Sequence, residues 1–257
     1  SALIDAIYSN YPDWYSYIST HMTDSEYRAE SAIKKLGSRN NSHVRDSLHL
    51  SVSMRSYRAE KVSSFVKSLL DINRESATAL VSGFNDKYPI KVTRNLDSAK
   101  NWIRTTARAN QRYGMIVSSQ ASRLKPLAID IRVNVDPRHW FLGDKSDVRS
   151  SWYLEDVATE FVVQGLELDW ACVVWDADFR MTESGWKHSS FVGEKWQNIN
   201  KIERKAYLKN AYRVLLTRAR QGMVIVVPEG SNDDPTRYPH FYDETFQYLE
   251  SVGLEVI

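Results

Sequence analysis

One arginine in this sequence is placed where its side chain should turn toward the interior. The helix predicted from Tyr207 onwards has an apolar face formed by Tyr207, Ala211 and Val214, at i, i+4 and i+7. At roughly 100° per residue, Arg218 falls within about 20° of Tyr207 on that face, whereas Arg220 points to the other side. Because arginine is rarely buried unless it is paired, Arg218 should meet either a carboxylate or an anionic ligand.

A glycine and a carboxylate form a second candidate site in the segment Q-G-L-E-L-D, residues 164–169. Gly165 permits a backbone turn close to a ligand, and Glu167 could accept hydrogen bonds from sugar hydroxyls. The alternative is a polar loop with a glycine turn, which the spacing alone favours.

Two acids follow the apolar run C-V-V-W. Asp176 and Asp178 could bind a metal ion in a nuclease-like site, and residues 172–176 could imitate the strand that ends in a magnesium-binding aspartate in P-loop ATPases. Carboxylates of a loop or of a helix N-terminus are the alternative. The six histidines are scattered and Cys172 is the single cysteine, so no zinc spacing exists and we predict no metal site.

Helices and strands alternate around these residues. The helix that begins at Tyr207 is predicted to reach Arg220 and to stop at Gly222 in a left-handed conformation, before a buried strand over residues 223–227. Further strands are predicted at residues 49–53, 88–93, 113–117, 129–135, 157–163, 171–175 and 254–257. Helical patterns cover residues 1–36, with a capping box at Thr23 and Glu26, and residues 59–70, 98–112 (capped by Asp97) and 241–251, whereas residues 181–200 are predicted to be irregular. This alternation predicts an α/β fold with a mainly parallel sheet flanked by helices.

Composition narrows the class of protein. The chain has 257 residues with a net charge of +2, far from the basic excess of a dedicated nucleic-acid coat protein. One cysteine excludes a disulfide framework and favours a reducing, cytoplasmic location. No apolar run approaches the length of a membrane span, so no membrane partner is expected. The eight tryptophans could stack on bases, although packing in the core and loops is their commoner use.

Two segments resemble known helicase motifs. V-L-L-T-R-A-R, residues 214–220, resembles motif VI of superfamily 1 helicases, in which the arginine of T-R-A reaches the γ-phosphate of ATP; the resemblance implies this role for Arg218. T-E-F-V-V-Q-G-L-E-L-D, residues 159–169, resembles motif V. It implies that Thr159 touches nucleic-acid phosphate, that Gln164 and Gly165 lie by the nucleotide, and that Glu167 binds the ribose. The sequence departs from the motif at Phe161, where the family often has histidine.

Two further segments extend the resemblance in the same order along the chain. L-S-V-S-M-R-S, residues 50–56, is similar to motif IV and implies that Arg55 is a second γ-phosphate contact; a surface cation is the alternative. M-I-V-S-S-Q-A-S-R-L, residues 115–124, is similar to a strand and turn whose hydroxyls face the nucleic-acid backbone. The matching positions are Ser118, Ser119 and Arg123, and hydroxyls that cap a helix explain the pattern equally well.

From about Leu50 to the C-terminus the chain resembles the Schlafen group 3-like DNA/RNA helicase domain family, whereas the first forty-odd residues add nothing to the match. The resemblance implies a RecA-like fold over residues 46–257, after a helical lead-in over residues 1–45. No glycine is followed by lysine, so the phosphate loop G-x-x-x-x-G-K-[ST] is absent.

We therefore expect the second RecA-like domain of a helicase-type ATPase, cut from a longer protein. ATP would be bound jointly with an N-terminal RecA-like domain, which would hold Mg²⁺. The polymer would be single-stranded DNA or RNA. The alternatives are a non-catalytic nucleic-acid-binding module with a degenerate helicase fold, and a nuclease that uses Asp176 and Asp178.

The isolated chain is predicted to show no ATP hydrolysis above background, because it lacks a phosphate loop. Phosphate release measured on the purified chain, with and without single-stranded nucleic acid, checks this. Turnover that disappears in Asp176→Asn would contradict it and would favour a magnesium-binding aspartate in this chain.

Overall fold

The computed structural model describes residues 2–19, 30–48 and 57–257, and the chain forms two compact units, Ser1–Ser56 and Tyr57–Ile257. In the first unit, helix α1 (Ala2–Asn10) precedes strand β1 (Ser16–Ile18), and helix α2 (Glu30–Gly37) precedes strand β2 (Ser42–Val44), which pairs parallel with β1. The prediction of a helical pattern throughout residues 1–36 is wrong, because β1 interrupts it. The predicted capping box at Thr23 and Glu26, the predicted strand at residues 49–53, and Arg55 lie outside the described residues.

The second unit contains a larger set of helices and strands. Its helices are α3 (Tyr57–Leu70), α4 (Arg74–Ser82), α5 (Leu96–Thr106), α6 (Ile202–Leu216) and α7 (Asp243–Ser251). Its strands are β3 (Ile90–Thr93), β4 (Tyr113–Val117), β5 (Val157–Thr159), β6 (Leu168–Val174), β7 (Phe179–Arg180), β8 (Lys187–Val192), β9 (Lys195–Asn198), β10 (Ala219–Val226) and β11 (Glu255–Val256). None of the described helices combines the length and the apolar character needed to cross a membrane.

Six strands form one sheet in the order β11-β3-β10-β6-β4-β5, and every neighbouring pair is parallel. Alternate residues of β6 enter two different cores: Ala171 and Val173 pack with residues of α3 and α6, whereas Cys172 and Val174 pack with residues of α5. Burial on both faces explains the unbroken apolar runs. The predicted α/β fold is confirmed, and the sheet with its flanking helices is consistent with a RecA-like domain.

The junction between α6 and β10 differs from its prediction. The helix ends at Leu216, and its buried side chains are Leu208, Ala211, Tyr212, Leu215 and Leu216. Tyr207 is 72% exposed, so the inward face is rotated from the predicted one. Gly222 lies inside β10, where a Cβ atom would stand 2.5 Å from the carbonyl oxygen of Pro89 and 2.7 Å from the Trp170 ring. Glycine is needed there for close packing rather than to end a helix.

Three other sequence predictions fail for local reasons. Helix α5 is capped by Asn95, whose side chain accepts the backbone N–H of Ser98 at 2.9 Å, rather than by Asp97, and it ends at Thr106. Residues 129–135 alternate in polarity but form turns, with Ile129 buried and Val133 exposed. Residues 181–200 are not irregular throughout, since they contain β8 and β9, which form an antiparallel sheet with β7.

The tryptophan-rich region mostly serves packing. Trp175 is buried and stacks with Trp186 and, at a tilt, with Tyr212 of α6, at ring-centroid distances of 5.5 and 4.4 Å. Trp140 is also buried and donates its indole N–H to the Asp156 carbonyl at 3.1 Å. The packing alternative is therefore the correct one for these rings.

Gly222→Ala is expected to destabilise the second unit by about 1–3 kcal/mol, because a methyl group would overlap the backbone of Pro89. The free energy of unfolding, from chemical denaturation, measures the effect. Gly83→Ala is the matched control: its nearest atom to a new Cβ lies at 3.4 Å and its φ is −80°, so it should lose little. Equal stability of the two variants would contradict the packing role of Gly222.

Candidate functional site

The segments that resemble motifs V and VI meet at one end of the sheet, where β6 and β10 begin. We call this end the amino edge. The turn at residues 164–167 leads into β6, and Arg218 directly precedes β10. The backbone N–H of Leu168 donates to the carbonyl oxygen of Arg218 at 2.9 Å. Parallel pairing thus brings together two segments that are fifty positions apart in the sequence.

The turn before β6 requires glycine for its conformation. Gly165 has φ of +88°, a left-handed value, yet no atom lies within 4 Å of the position where a Cβ would stand. Glycine is therefore required at this position by the left-handed backbone conformation, and not by a lack of space for a side chain. Gln164 and Glu167 are exposed on either side of it. The turn leaves open surface at the backbone of Gly165.

Arg218 is inward-facing, as predicted, but through its place at the start of a strand and not through a helical face. Only 8% of its surface is exposed, and its Nε donates to the carbonyl oxygen of Val214 at 3.1 Å in the last turn of α6. Arg220 is directed outward and donates to Asp169 Oδ1 at 3.0 Å. The predicted contrast between a buried Arg218 and an outward Arg220 is confirmed.

The predicted nucleic-acid contacts lie at the opposite end of the sheet, the carboxyl edge, where β4 and β5 end. Thr159 is the last residue of β5, and Ser118 and Ser119 follow β4. Ser119 donates to the Glu160 carboxylate from its backbone N–H at 2.8 Å and from its hydroxyl at 2.6 Å. This contact joins the two turns into one surface. Next to it, Phe161 is 72% exposed.

Ser118 and Arg123 have interior partners instead of open surface. The Ser118 hydroxyl is fully buried and donates to Asp178 Oδ2 at 2.7 Å. The Arg123 guanidinium pairs with Asp234 at 2.7 Å, donates from Nε to Thr236 at 2.7 Å, and lies 5.0 Å from the centre of the Phe191 ring. Both side chains hold loops together at the carboxyl edge.

Asp176 and Asp178 form a buried pair behind this edge. Asp176 accepts the hydroxyl of Tyr242 at 3.0 Å and the backbone N–H of Arg123 at 2.9 Å. Asp178 accepts the hydroxyl of Tyr212, on α6, at 2.5 Å. Burial, and then the charge of Asp176, raises the pKa of Asp178 to about 8. Burial likewise raises the pKa values of Tyr212 and Tyr242, so both tyrosines remain donors.

This arrangement gives no support to the nuclease interpretation. Both carboxylates are fully buried, and their oxygens already accept hydrogen bonds from protein groups. Across the described ranges, no group of three or more histidine, cysteine, aspartate or glutamate residues could hold a metal ion. The pair is better explained as the polar centre of a packed region, a function that the sequence reasoning missed. Tyr212 could have indicated this pair from the sequence. It occupies a buried position on a helix, where a tyrosine hydroxyl needs a hydrogen-bond acceptor.

The comparison with protein families agrees with the motifs. A family model described as Schlafen group 3, DNA/RNA helicase domain matches residues 20–229, which is well over half of the chain. The match begins thirty residues before Leu50, so it includes residues that the resemblance had left out. It ends at residue 229, whereas the resemblance had been extended to the C-terminus. No curated protein matches the chain significantly.

Stability should fall between pH 5 and 8 because of Asp178. Its folded-state pKa of about 8 exceeds the value of about 3.9 in an unfolded chain, so between these values only the folded state keeps the proton. This stabilisation is complete below pH 4 and is lost as the pH rises through 8. In the Asp178→Asn variant the side chain at this position cannot ionise. The free energy of unfolding of the variant should therefore vary less with pH than that of the wild type.

Denaturation curves at several pH values measure this difference. Asp136→Asn is the control, because Arg138 lowers the pKa of the half-buried Asp136 to about 2, outside the window. Parallel pH profiles for wild type and Asp178→Asn would show that Asp178 is ionised in the folded protein throughout.

Proposed function

Because the chain belongs to the family of the Schlafen group 3 DNA/RNA helicase domain, we propose that it acts as the second RecA-like domain of a helicase-type ATPase. In this proposal the chain completes an ATP site whose phosphate loop lies on a first RecA-like domain, and it contacts single-stranded DNA or RNA. The substrate is ATP.

The observation that carries the proposal is the hydrogen bond between Leu168 and the carbonyl of Arg218. It joins the glycine turn and the inward arginine at a single edge of the sheet. Backbone pairing fixes their separation more firmly than a contact between two mobile side chains would. A nucleotide at this edge could therefore meet both segments at once.

Each group at the amino edge has a task that its chemistry supports. The Arg218 guanidinium, always charged, neutralises charge that develops on the γ-phosphate during transfer. Arg55 lies outside the described residues, and only its likeness to motif IV supports a role as a second such cation. Glu167 accepts hydrogen bonds from the ribose hydroxyls, and the turn at Gln164 and Gly165 lets the backbone approach the nucleotide. Among the described residues no group of three or more histidine, cysteine, aspartate or glutamate side chains could hold Mg²⁺, so Mg²⁺ is assigned to the first domain.

Single-stranded nucleic acid is assigned to the carboxyl edge. Thr159 offers a hydroxyl to a backbone phosphate, and Ser119 lies beside it. Phe161 presents an exposed ring to a base, where the motif often has histidine. Ser118 and Arg123 take no direct part, since their side chains have interior partners.

A nucleic-acid-binding module without hydrolysis is the second candidate. It is favoured by the burial of Arg218 and by its bond to Val214, which suit a purely structural arginine. The two candidates share the carboxyl edge and differ only in the task of Arg218.

In a protein that joins this domain to a phosphate-loop domain, Arg218→Ala should lower ATP turnover by about 10³-fold. Nucleotide affinity should change little, because the arginine acts mainly on the transition state. Arg220→Ala, which removes an exposed ion pair, is the control and should be mild. Thermal melts on the same samples separate the candidates. A strongly destabilised Arg218→Ala protein, or one that hydrolyses ATP normally, rules out the charge-stabilising role of Arg218.

Phe161→Ala should weaken binding of a single-stranded oligonucleotide by about 1–3 kcal/mol, the loss expected for one stacked base. Fluorescence anisotropy with labelled oligo-dT and oligo-U measures it on the chain as given. Tyr207→Ala, which removes an equally exposed ring from α6, is the matched control and should bind normally. Equal affinities for all three proteins would rule out the stacking contact.

A further inference from the structure

A cavity of about 440 Å³ opens beside the start of β4. We call it the Arg112 cavity. Its lining residues are Asn110, Arg112, Asp144, Lys145, Ser146 and Trp152. None of them belongs to the segments that resemble helicase motifs. Two cations and one carboxylate line it, which leaves a single positive charge in excess.

The Arg112 guanidinium has only neutral oxygens as hydrogen-bond acceptors. It donates to the Gly143 carbonyl at 2.7 Å and, at 3.3 Å each, to the Trp140 carbonyl and the hydroxyls of Ser150 and Ser151. In the part of the chain that the structure describes, no carboxylate forms an ion pair with this guanidinium. Asp169 accepts the backbone N–H of Arg112, at 2.7 Å, and influences the guanidinium only from a distance. The charge of Arg112 is thus held in place but not neutralised by contact.

Lys145 adds a second cation on the outer side of the cavity. Its Nζ donates to the Ala109 carbonyl at 3.0 Å and lies 4.5 Å from the centre of the Trp152 ring. An ammonium group has three donors, and the carbonyl uses one of them. The carboxylate of Asp144 is occupied by the neighbouring Ser146, whose N–H and hydroxyl donate to Oδ1 at 2.8 and 2.6 Å. The Asp144 carboxylate keeps its negative charge, and its repulsion disfavours anions that carry more than one negative charge.

We propose that the Arg112 cavity binds a phosphodiester group of single-stranded nucleic acid, between Arg112 and Lys145 and against the Trp152 ring. A phosphodiester carries one negative charge, which matches the single excess positive charge of the lining. A phosphomonoester or a triphosphate carries more charge and would be disfavoured by Asp144. Arginine and lysine are the usual partners of such phosphates, and contacts of this kind position a strand without reading its sequence.

The cavity lies at the amino edge, where β4 begins, whereas the surface assigned above to nucleic acid lies at the carboxyl edge. The inference rests on that proposed function and extends the path of the polymer from one edge to the other. Phe161 follows β5, the outermost strand, and the cavity adjoins β4, its neighbour. Both contacts therefore lie near the two outermost strands, Phe161 at the carboxyl edge and the cavity at the amino edge. At about 3.3 Å per residue, the five residues of β4 separate them by roughly 16 Å. A strand that passes along the outside of β5 reaches both.

Lysine footprinting tests the site directly on the chain as given. Saturating oligo-dT should slow the acetylation of Lys145 several-fold, as measured by mass spectrometry, whereas AMP and inorganic phosphate should not. Lys87 is the internal control, because it is an exposed lysine before β3, three strands away in the sheet. An unchanged labelling rate at Lys145 overturns the proposal. Protection by AMP shows a mononucleotide site instead, and protection by phosphate alone shows an adventitious ion only.

A variant pair gives a second readout. Lys145→Gln should weaken oligonucleotide binding several-fold and reduce the slope of log K against log salt by about 0.7, the loss of one phosphate contact to a single strand. Lys87→Gln should change neither quantity, and equal behaviour of the two variants overturns the proposal. Phe161→Ala separates this inference from the proposed function: if it binds normally while Lys145 stays protected, the stacking contact fails and the phosphodiester site stands.

Discussion

The pairing of β6 with β10 is the constraint from which the position of each candidate site follows. These strands send alternate residues into two separate cores, so neither face of the central sheet is open to a ligand. Groups that act on a ligand must therefore stand beyond the ends of the parallel strands. In most open α/β sheets the ligand binds at the carboxyl ends. The glycine turn and Arg218 stand where strands begin, and Thr159 and Phe161 stand where one ends. A helicase-type domain needs two such surfaces, one for the nucleotide and one for the polymer.

At the carboxyl edge, the two aspartates that look most reactive in the sequence do not form a ligand site. Asp176 and Asp178 follow a buried strand closely, yet tyrosines from α6 and from the start of α7 cover them. A buried carboxylate is tolerated only when donors surround it, and here hydroxyl and backbone N–H groups do so. The pair consequently ties α6 to the end of the sheet. The part of the carboxyl edge that faces solvent is therefore formed by the turns that contain Thr159 and Phe161.

The sequence was sufficient for features that depend on local periodicity and failed for those set by distant neighbours. Apolar runs at β4, β6 and β10 predicted buried strands because burial on both faces leaves no other pattern. Gly222 looked like a helix stop, but its role depends on Pro89 and Trp170, which no local pattern reveals. The resemblance to motifs V and VI selected Gly165, Glu167 and Arg218 as candidates, yet it did not show that the Ser118 side chain is turned inward. The Arg112 cavity has no motif at all, since its residues come from three separate segments of the chain.

The burial of Arg218 follows from the same geometry and is compatible with its proposed task. Its Nε–H donates to the Val214 carbonyl in the last turn of α6, which also accepts the Thr217 N–H at 3.2 Å and lies at the negative end of the helix dipole. That bond fixes the plane of the guanidinium relative to the start of β10. A donor that is fixed before the substrate arrives stabilises developing charge without having to reorganise during the reaction. The contact with Val214 is thus what a charge-stabilising arginine requires of its own domain, while the first domain would bring the phosphate to it.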